Sequence, residues 1–365
     1  MNMLAGTIDA AERIPLPDTW TLAGINWLVS RTRQSLARAP LGTEAAFLDE
    51  MGRFPIALHT QAANAQHYEL PPAFFGLILG PARKYSCCLY QNERTSLAEA
   101  EVFALEETCR HAGLADGQDI LELGCGWGSL SLHMASAFPN ARITSVSNSH
   151  AQRAFITGEM QRRGLHNLDV ITADMNNFST QGRFDRIVSV EMFEHMSNWH
   201  DLLERARNWL ESDGRLFLHV FTHKSRSYRF HHEDPADWIG RYFFTGGIMP
   251  SHALPHRFPG LLTVETEWRW SGTHYQKTAL DWLANFDREA DAIDAILLSV
   301  YGRDAKLWKR RWRLFFLATA GLFGHAEGAE WGIGHYLMKP VKNPGGNNHQ
   351  YPDDIIPISS SKPIT

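Results

Sequence analysis

Between residues 120 and 221, short apolar runs alternate with amphipathic segments, and this alternation constrains the fold more than any other feature of the sequence. The runs have the length of buried strands, and the segments between them repeat apolar residues at helical spacing. Strands separated by helices are typical of a parallel sheet with helices on both faces. Two more strand-like runs follow later in the chain. The seven runs are 120–123, 143–146, 170–171, 187–190, 216–221, 262–270 and 334–338.

The remaining segments suggest how the chain is organised around this α/β sheet. Helical patterns at 20–38 and 43–54 predict that residues 1–80 form an N-terminal helical extension. Residues 81–340 then form the main domain. Within it, about 222–325 is predicted to be a helical cap insertion, with two helices between 278 and 322. The tail 341–365 is rich in Asn, Gly and Ser, a composition typical of disorder.

Composition excludes several classes of protein. The chain has 365 residues and a formal net charge of -5, whereas a dedicated nucleic-acid binder normally shows a basic excess. The longest apolar run, near 314–323, is shorter than the roughly 20 residues of a membrane span.

Four cysteines without C-x-x-C spacing, and no signal-peptide pattern, predict a cytoplasmic protein with reduced thiols. The histidines show no metal-ligand pattern, so no metal is predicted. The oligomeric state stays open, a homodimer included.

A glycine-rich turn follows the first predicted strand. Gly124, Gly126 and Gly128 lack a Cβ, so the backbone there can bend sharply and let a ligand approach its amides. Their G-x-G-x-G spacing differs from the dinucleotide fingerprint and from the P-loop. Glu122 offers an acceptor two residues before the turn. These features predict a cofactor loop.

The ends of the next two strands carry further polar residues. In a doubly wound sheet, ligands bind beyond the carboxyl ends of the strands, near the point where strand order reverses. Asn148 and Gln152 follow the second strand, where many nucleotide-binding folds place an acidic residue for the ribose. Asp174 and Met175 follow the third, offering a carboxylate for an exocyclic amine and a soft side chain for a purine ring.

The fourth strand ends in a cluster of ionisable residues. Glu191, Glu194 and His195 lie within five residues, directly after a run that should be buried. Buried charges are costly unless they are paired or used in chemistry. The cluster is therefore the predicted catalytic centre.

Several sequence blocks, in order, resemble the S-adenosylmethionine-dependent methyltransferases of the cyclopropane fatty acid synthase superfamily, and within it the plant coclaurine-type N-methyltransferases. The resemblance implies a class I methyltransferase, with a Rossmann-like, seven-stranded, mostly parallel sheet that binds S-adenosylmethionine. The blocks lie at 85–88, 121–129, 191–196, 241–250, 274–275 and 330–331. The cofactor positions that it implies are Tyr85, Ser86, Gly124, Asn148, Gln152, Asp174 and Met175.

The resemblance leaves two reactions to distinguish, methyl transfer to an amine nitrogen and methylene addition across an alkene. An amine is mostly protonated at pH 7, because its pKa is about 10, so a base is needed before it can attack. In the cyclopropane synthases the position of Glu191 is a glycine, whereas the plant N-methyltransferases carry the glutamate. The favoured acceptor is a small aromatic or heterocyclic amine, tetrahydroisoquinoline-like. Glu194 and His195 then handle its proton, and Glu191 orients it.

The alternative is a cyclopropane-forming enzyme acting on unsaturated phospholipid chains, which would also need peripheral contact with a lipid surface. Such enzymes are thought to hold a bicarbonate ion as base, and the matching positions here are Cys87, Glu194, His219 and Tyr275. Both branches keep most of these residues, so they do not decide between the reactions. A catalytically silent cofactor-binding protein is a third alternative, disfavoured by the intact cluster at 191–195.

The substrate pocket is expected from the insertion after the fifth strand and from the N-terminal helices, a region dense in aromatic residues. Aromatic faces near a sulfonium suit a flat or cationic substrate, because their π faces attract ammonium groups. The pocket candidates are Cys87, His219 and Tyr275, together with Arg241, Tyr242, Phe243, Glu330 and Trp331.

Overall fold

A computed structural model of the chain describes residues 16–40, 42–58 and 70–341, together with Gly6 and residues 12–14. Its centre is a sheet of seven strands. In chain order the strands of the structure are β1 (Asp119–Leu123), β2 (Arg142–Ser147), β3 (Leu168–Thr172), β4 (Phe184–Val190), β5 (Leu210–His223), β6 (Tyr228–Arg229), β7 (Ile248–Met249), β8 (Leu262–Ser271) and β9 (Trp331–Pro340).

The order of the strands across the main sheet is β3-β2-β1-β4-β5-β9-β8. Strands β1 to β5 pair in parallel, while β9 runs antiparallel to both β5 and β8. The chain first adds strands on one side of β1 and then on the other. The strand order therefore reverses between β1 and β4, and the crevice at their carboxyl ends is the place for a ligand. β6 and β7 form a separate two-stranded sheet.

Helices connect and cover the strands. The class of fold predicted from the sequence is confirmed, and all seven predicted runs lie within strands of the main sheet. The prediction of two helices between 278 and 322 is wrong, because the structure has three, interrupted near Glu289 and at Gly302. Among the described residues, the α-helices are Asp18–Ala37, Thr43–Met51, Pro72–Ile78, Leu97–Ala112, Ser129–Ala137, His150–Arg163, Trp199–Trp209, Trp238–Tyr242, Gly272–Arg288, Ala290–Tyr301 and Ala305–Gly324.

The N-terminal residues reach the carboxyl edge of the sheet. The backbone N–H of Ala57 donates to Asn176 Oδ1 at 3.0 Å, and Asn176 Nδ2 donates back to the carbonyl of Ala57 at 3.0 Å. The backbone of Ser197 donates to the carbonyl of Ile56 at 2.6 Å. These bonds hold the end of the extension against the loops that follow β3 and β4.

The segment 222–325, predicted to be a cap, contributes helices and also β8, which belongs to the main sheet. Its helices pack around a large aromatic core, in which Trp282, Trp312 and Phe316 are almost fully buried. The predicted tail, from residue 342 onward, lies outside the described residues. Within the described part of the chain, we find no helix long and apolar enough to cross a membrane.

The junction of β8 with the following helix generates a stability prediction. A Cβ on Gly272 would lie 2.2 Å from the carbonyl oxygens of Phe323 and Trp331, which are fixed backbone atoms. We expect Gly272→Ala to lower the free energy of unfolding by about 1–3 kcal/mol through overpacking. Gly158 is the matched control, because it lies in an exposed helix with no atom within 4 Å of its added Cβ. Gly158→Ala should stabilise by about 1 kcal/mol. Urea unfolding of both variants measures the two changes, and equal effects would contradict the assigned packing.

Candidate active site

A cavity opens at the carboxyl ends of β1 to β4, at the point where strand order reverses. Nine of the ten predicted cofactor residues line it, and two of the three predicted catalytic residues do so. The lining includes Tyr85, Ser86, Glu122, Gly124, Gly126, Asn148, Gln152, Asp174, Met175, Glu191 and His195. Residues that the sequence places after four successive strands, β1 to β4, therefore lie together in one cavity.

The glycine turn owes its shape to backbone angles that other residues rarely adopt. Gly124, Gly126 and Gly128 have φ values of 82°, 52° and 79°. An added Cβ on Gly124 would lie 2.5 Å from the Met192 side chain, and one on Gly128 would lie 2.6 Å from Ile156. A Cβ on Gly126 would meet nothing within 4 Å, although Gly126 lines the cavity. Gly124 and Gly128 thus serve packing as well as the turn, while Gly126 leaves room for a ligand. Gly128 is the predicted cofactor residue that does not line the cavity.

The cavity offers polar atoms that suit a nucleoside cofactor. The Gln152 side chain is buried, its Oε1 accepts from Ser147 Oγ at 2.6 Å, and its Nε2 has no hydrogen-bond partner among the described residues. A buried amide with an unused donor is costly unless a ligand accepts from it. Asn148 and Asp174 line the same cavity. Together with the open space at Gly126, these residues fit S-adenosylmethionine.

Glu122 has a structural task at the cavity wall. Its Oε2 accepts from Ser145 Oγ at 2.7 Å and from Ser131 Oγ. Burial raises the pKa of this carboxyl to about 6, although both hydroxyl hydrogen bonds lower it. Ser131 lies in the helix that follows the glycine turn. Glu122 therefore ties the start of that helix to β1 and β2.

Glu191 is held by donors from three other parts of the chain. Its Oε1 accepts from the backbone N–H of Cys87 at 2.8 Å and lies 3.2 Å from His219 Nε2. Its Oε2 accepts from the Tyr275 hydroxyl at 2.7 Å. Burial alone would raise the pKa of Glu191, but the hydrogen bond from His219 and the charge of Lys84 outweigh it and hold the pKa below its ordinary value. The lowered pKa favours the ionised carboxylate at neutral pH, and Glu191 lines the cavity.

The backbone at Glu191 is strained. Its φ of 48° lies in the left-handed region, which is uncommon for a residue with a side chain. Such a conformation costs about 1–3 kcal/mol and is concentrated at functional sites. The unusual angle turns the side chain at the end of β4 toward Cys87 and Tyr275.

Glu194 and His195 lie on different sides of the same short turn. His195 lines the cavity, and its ring centroid lies 4.4 Å from that of Phe244. Glu194 is fully buried and is not among the lining residues. Its Oε1 accepts from the backbone N–H of Phe221 at 2.6 Å, and its Oε2 has no hydrogen-bond partner among the described residues. Burial, reinforced by the charge of Glu191, raises the pKa of Glu194 well above its ordinary value. This shift favours the protonated, neutral acid at neutral pH.

Three predicted pocket residues stand behind the cavity wall. Cys87, His219 and Tyr275 do not line the cavity, but all three contact Glu191. Burial raises the pKa of the Cys87 thiol and of the Tyr275 hydroxyl, so both groups stay protonated at neutral pH. They form a shell that fixes one carboxylate.

The other pocket candidates, Arg241, Tyr242, Phe243, Glu330 and Trp331, do not line this cavity. Glu330 is paired with Arg33, His223 and Lys224 at 2.9–3.1 Å, so its charge is already used. Trp331 is buried in the core. Arg241 and Tyr242 bond each other at 3.0 Å, and Phe243 stacks on Phe315 with centroids 4.5 Å apart. Phe243 and Trp331 therefore belong to the packed core.

Other lining residues had no clear signal in the sequence. Lys84 is buried, and its Nζ donates to Ser86 Oγ and to the carbonyl of Cys87, both at 2.6 Å. Its place directly before the Tyr85-Ser86 pair is the one available hint. The remaining lining side chains come from distant segments, among them Ala57, Leu58, Trp127, Met192 and Thr245.

The sheet order, the glycine turn at the switch point and the ligand-ready cavity define a class I methyltransferase, an enzyme whose cofactor is S-adenosylmethionine. Residues 58–327 match the family model described as mycolic acid cyclopropane synthetase. The chain belongs to this family.

Relatives within the family differ in the reaction for which they are named. The (S)-coclaurine N-methyltransferase of Thalictrum flavum subsp. glaucum is 36% identical over 78% of this chain and 80% of its own length. The cyclopropane-fatty-acyl-phospholipid synthase of Escherichia coli (strain K12) is 27% identical over 73% and 66%. A crystal structure of coclaurine N-methyltransferase bound to N-methylheliamine and SAH is similar at a TM-score of 0.85, with 32% identity, covering 89% of this chain and 96% of that one. The comparisons favour amine N-methylation over cyclopropane formation.

The open space at Gly126 generates a binding prediction. We expect Gly126→Leu to weaken binding of S-adenosylhomocysteine by about 100-fold or more, because the side chain would fill the cavity. Gly117→Leu is the control for strain, since Gly117 also has a positive φ, 84°, and open space around it, but does not line the cavity. Isothermal titration calorimetry measures both affinities. A similar loss in the two variants would mean that backbone strain, not the occupied space, abolishes binding.

Proposed function

We propose that the protein transfers a methyl group from S-adenosylmethionine to the nitrogen of a small aromatic or heterocyclic amine, tetrahydroisoquinoline-like, and that Glu191 receives the substrate. The observation that supports this most directly is an ionised carboxylate on the cavity wall, held by Cys87, His219 and Tyr275. Such a group attracts a cationic amine. It has no comparable use beside an uncharged acyl chain.

The position of this carboxylate also argues against the lipid reaction. Cys87, His219 and Tyr275 are three of the four residues that would hold bicarbonate in a cyclopropane synthase. Here their donors are directed at Glu191, so the carboxylate takes up the hydrogen bonds that a bicarbonate ion would need. The fourth residue, Glu194, is neutral and bonded to the backbone of Phe221.

The chemistry requires one deprotonation per methyl group. S-adenosylmethionine, when bound, supplies an electrophilic methyl on sulfur. Freeing the lone pair of an amine with a pKa near 10 costs about 4 kcal/mol at pH 7, and a positioned base contributes typically 10²–10⁴-fold to the rate. We propose that Glu191 binds the ammonium group and accepts its proton. His195, the other cavity-facing ionisable group of the cluster, orients the amine, and Glu194 supports the turn from behind. These roles replace those expected from the sequence, in which Glu194 and His195 handle the proton and Glu191 orients the amine, because Glu194 is buried away from the cavity.

The proposal extends to the organisation of the chain. We propose that residues 81–340 form the catalytic domain, that residues 1–80 close one side of the cavity through Ala57 and Leu58, and that the helices within 222–325 act as the cap.

Four free, buried cysteines are typical of a reducing compartment, which supports a cytoplasmic location. Light scattering at working concentration would distinguish a monomer from a homodimer.

A direct test offers the enzyme two acceptor pools. The pure protein is incubated with S-adenosylmethionine labelled in its methyl group and with either a library of cyclic and aromatic amines or vesicles of unsaturated phospholipid. We expect label in the amine pool, because Glu191 attracts cations. Label found only in lipid would overturn the proposal, and a Gly126→Leu sample controls for background methylation.

A second test compares the same neutral substitution at two neighbouring carboxyl groups. Glu191→Gln should lower kcat for the amine by about 100-fold or more, because it removes the base, while cofactor affinity stays unchanged. Glu194→Gln should lower kcat less, because Glu194 is already neutral. His195→Ala should also affect kcat more than cofactor affinity. Steady-state kinetics and cofactor titration give both quantities, and a larger loss at Glu194 than at Glu191 would reverse the assigned roles.

The Glu194 variant has a further signature in stability. Because the folded protein holds a proton on Glu194 that the unfolded chain releases above about pH 4.5, this group makes folding less favourable as pH rises. Glu194→Gln removes that dependence. Relative to wild type, the variant should therefore gain stability between pH 5 and pH 8 in thermal unfolding.

A further inference from the structure

A row of three buried histidines connects Glu191 with the surface of the protein. His219 Nε2 lies 3.2 Å from Glu191 Oε1, and His219 Nδ1 lies 2.8 Å from His335 Nε2. His335 Nδ1 lies 2.7 Å from His111 Nδ1. His111 Nε2 then lies 3.0 Å from Glu107 Oε1. Each imidazole uses one nitrogen toward the cavity and the other toward the surface.

The fold brings these rings into line. His219 in β5 and His335 in β9 are directly paired across the two strands, and His111 lies in the helix Leu97–Ala112. Glu107 is one turn earlier in that helix, with a side chain that is 18% exposed. His335 and His219 are themselves fully buried. The row therefore crosses the interior from the active-site carboxylate to a carboxylate that reaches solvent.

The row is satisfied in two opposite proton arrangements. In the first, Glu191 is ionised and accepts from His219 Nε2–H. His335 Nε2–H then donates to His219 Nδ1, and His111 Nδ1–H donates to His335 Nδ1. His111 Nε2 is then an acceptor, and Arg110 Nη2 lies 2.7 Å away as its donor. In the second, Glu191 carries a proton and donates to His219. Every bond is then reversed, and His111 Nε2–H donates to Glu107. The outer nitrogen has a donor and an acceptor in place, one for each arrangement.

We propose that Glu107, His111, His335 and His219 form a proton relay through which Glu191 exchanges its proton with solvent. The inference rests on the proposed function. Methylation of a protonated amine breaks one N–H bond and the S–CH3 bond, forms one N–CH3 bond, and leaves one proton to be removed. Once Glu191 holds that proton, the imidazoles reorient from the first arrangement to the second. The proton then passes from Glu191 to His219 Nε2, while the Nδ1 proton of His219 passes to His335 Nε2. The Nδ1 proton of His335 passes to His111 Nδ1, and the Nε2 proton of His111 passes to Glu107. These transfers return the row to the first arrangement.

The surroundings keep the row neutral and buried. Burial lowers the pKa of His111 to about 4 and lowers the pKa values of His219 and His335 as well, so all three can accept and donate at neutral pH. His111 stacks on Trp268 at 3.8 Å between centroids, and Trp270 lies 4.3 Å from His335. Besides Glu191, Glu107 and Arg110, the charged group that faces the row is Lys84, whose charge also lowers the pKa values of His219 and His335.

The relay predicts that proton release can be separated from methyl transfer. In a single turnover with excess enzyme, a pH-indicator dye follows protons and rapid quench follows methylated product. The probe is tetrahydroisoquinoline, or the amine of the pool that accepts most label. We expect His335→Gln to slow proton release by about 10-fold or more and Glu107→Gln by about 3-fold or more, with the first methyl transfer unchanged. Glu106→Gln, at an exposed neighbouring carboxylate, is the control. Proton release that keeps pace with methyl transfer in both variants would overturn the relay.

A second measurement needs no substrate and is independent of the proposed reaction. Nitrogen-15 NMR of histidine-labelled protein reports which ring nitrogen carries the proton. At neutral pH we expect Nε2–H at His219 and at His335 and Nδ1–H at His111, with Glu107→Gln leaving the protein folded and shifting the His111 signals. Tautomers that do not share one sense would overturn the relay. Absence of methylation of any amine, with the tautomers as expected, would instead overturn the proposed function alone.

Discussion

The site depends on one interaction, the binding of the Glu191 carboxylate by three donors from separate parts of the chain. An ionised carboxylate out of water costs several kcal/mol unless hydrogen bonds compensate, and Glu191 adds backbone strain at φ 48°. Its three partners must therefore come together accurately. They do so because the loop before helix Leu97–Ala112, strand β5 and the start of helix Gly272–Arg288 all meet the end of β4. The N-terminal, central and C-terminal parts of the domain are thus coupled through a single anion.

The sequence predicted the parts of this arrangement that follow from local periodicity. Alternating apolar runs are governed by burial on the two faces of a parallel sheet, so the seven strands could be recognised from their own residues. Once the strands were placed, the carboxyl ends were fixed as neighbours, and Gly126, Gln152 and Asp174 could be assigned to one cavity. The glutamate at position 191 could likewise be singled out, because a charge at the end of a buried strand calls for an explanation.

The parts that the sequence did not predict depend on which way side chains point after the strands end. Glu194 and His195 are adjacent, yet the short turn directs one into the interior and the other into the cavity. A residue pattern carries no such information. The aromatic residues of 238–331 gave a similar difficulty, because packing and ligand binding use the same residue types. Trp331 and Phe243 proved to be core, and Glu330 was already paired with Arg33, Lys224 and His223.

The same shell of donors is compatible with two chemistries, and the residue at position 191 distinguishes them. Cys87, His219 and Tyr275 present hydrogen bonds to whatever anion lies between them. The resemblance drawn from the sequence implies glycine at this position in the cyclopropane synthases, where the anion would be a bicarbonate ion captured from solution. Here a glutamate side chain supplies the charge covalently, so no binding entropy is lost and the anion cannot dissociate. Under the proposed function, its negative charge attracts a cationic amine before the reaction begins. Because both branches keep most of these residues by resemblance, their presence could not separate the two reactions in the sequence, whereas Glu191 could.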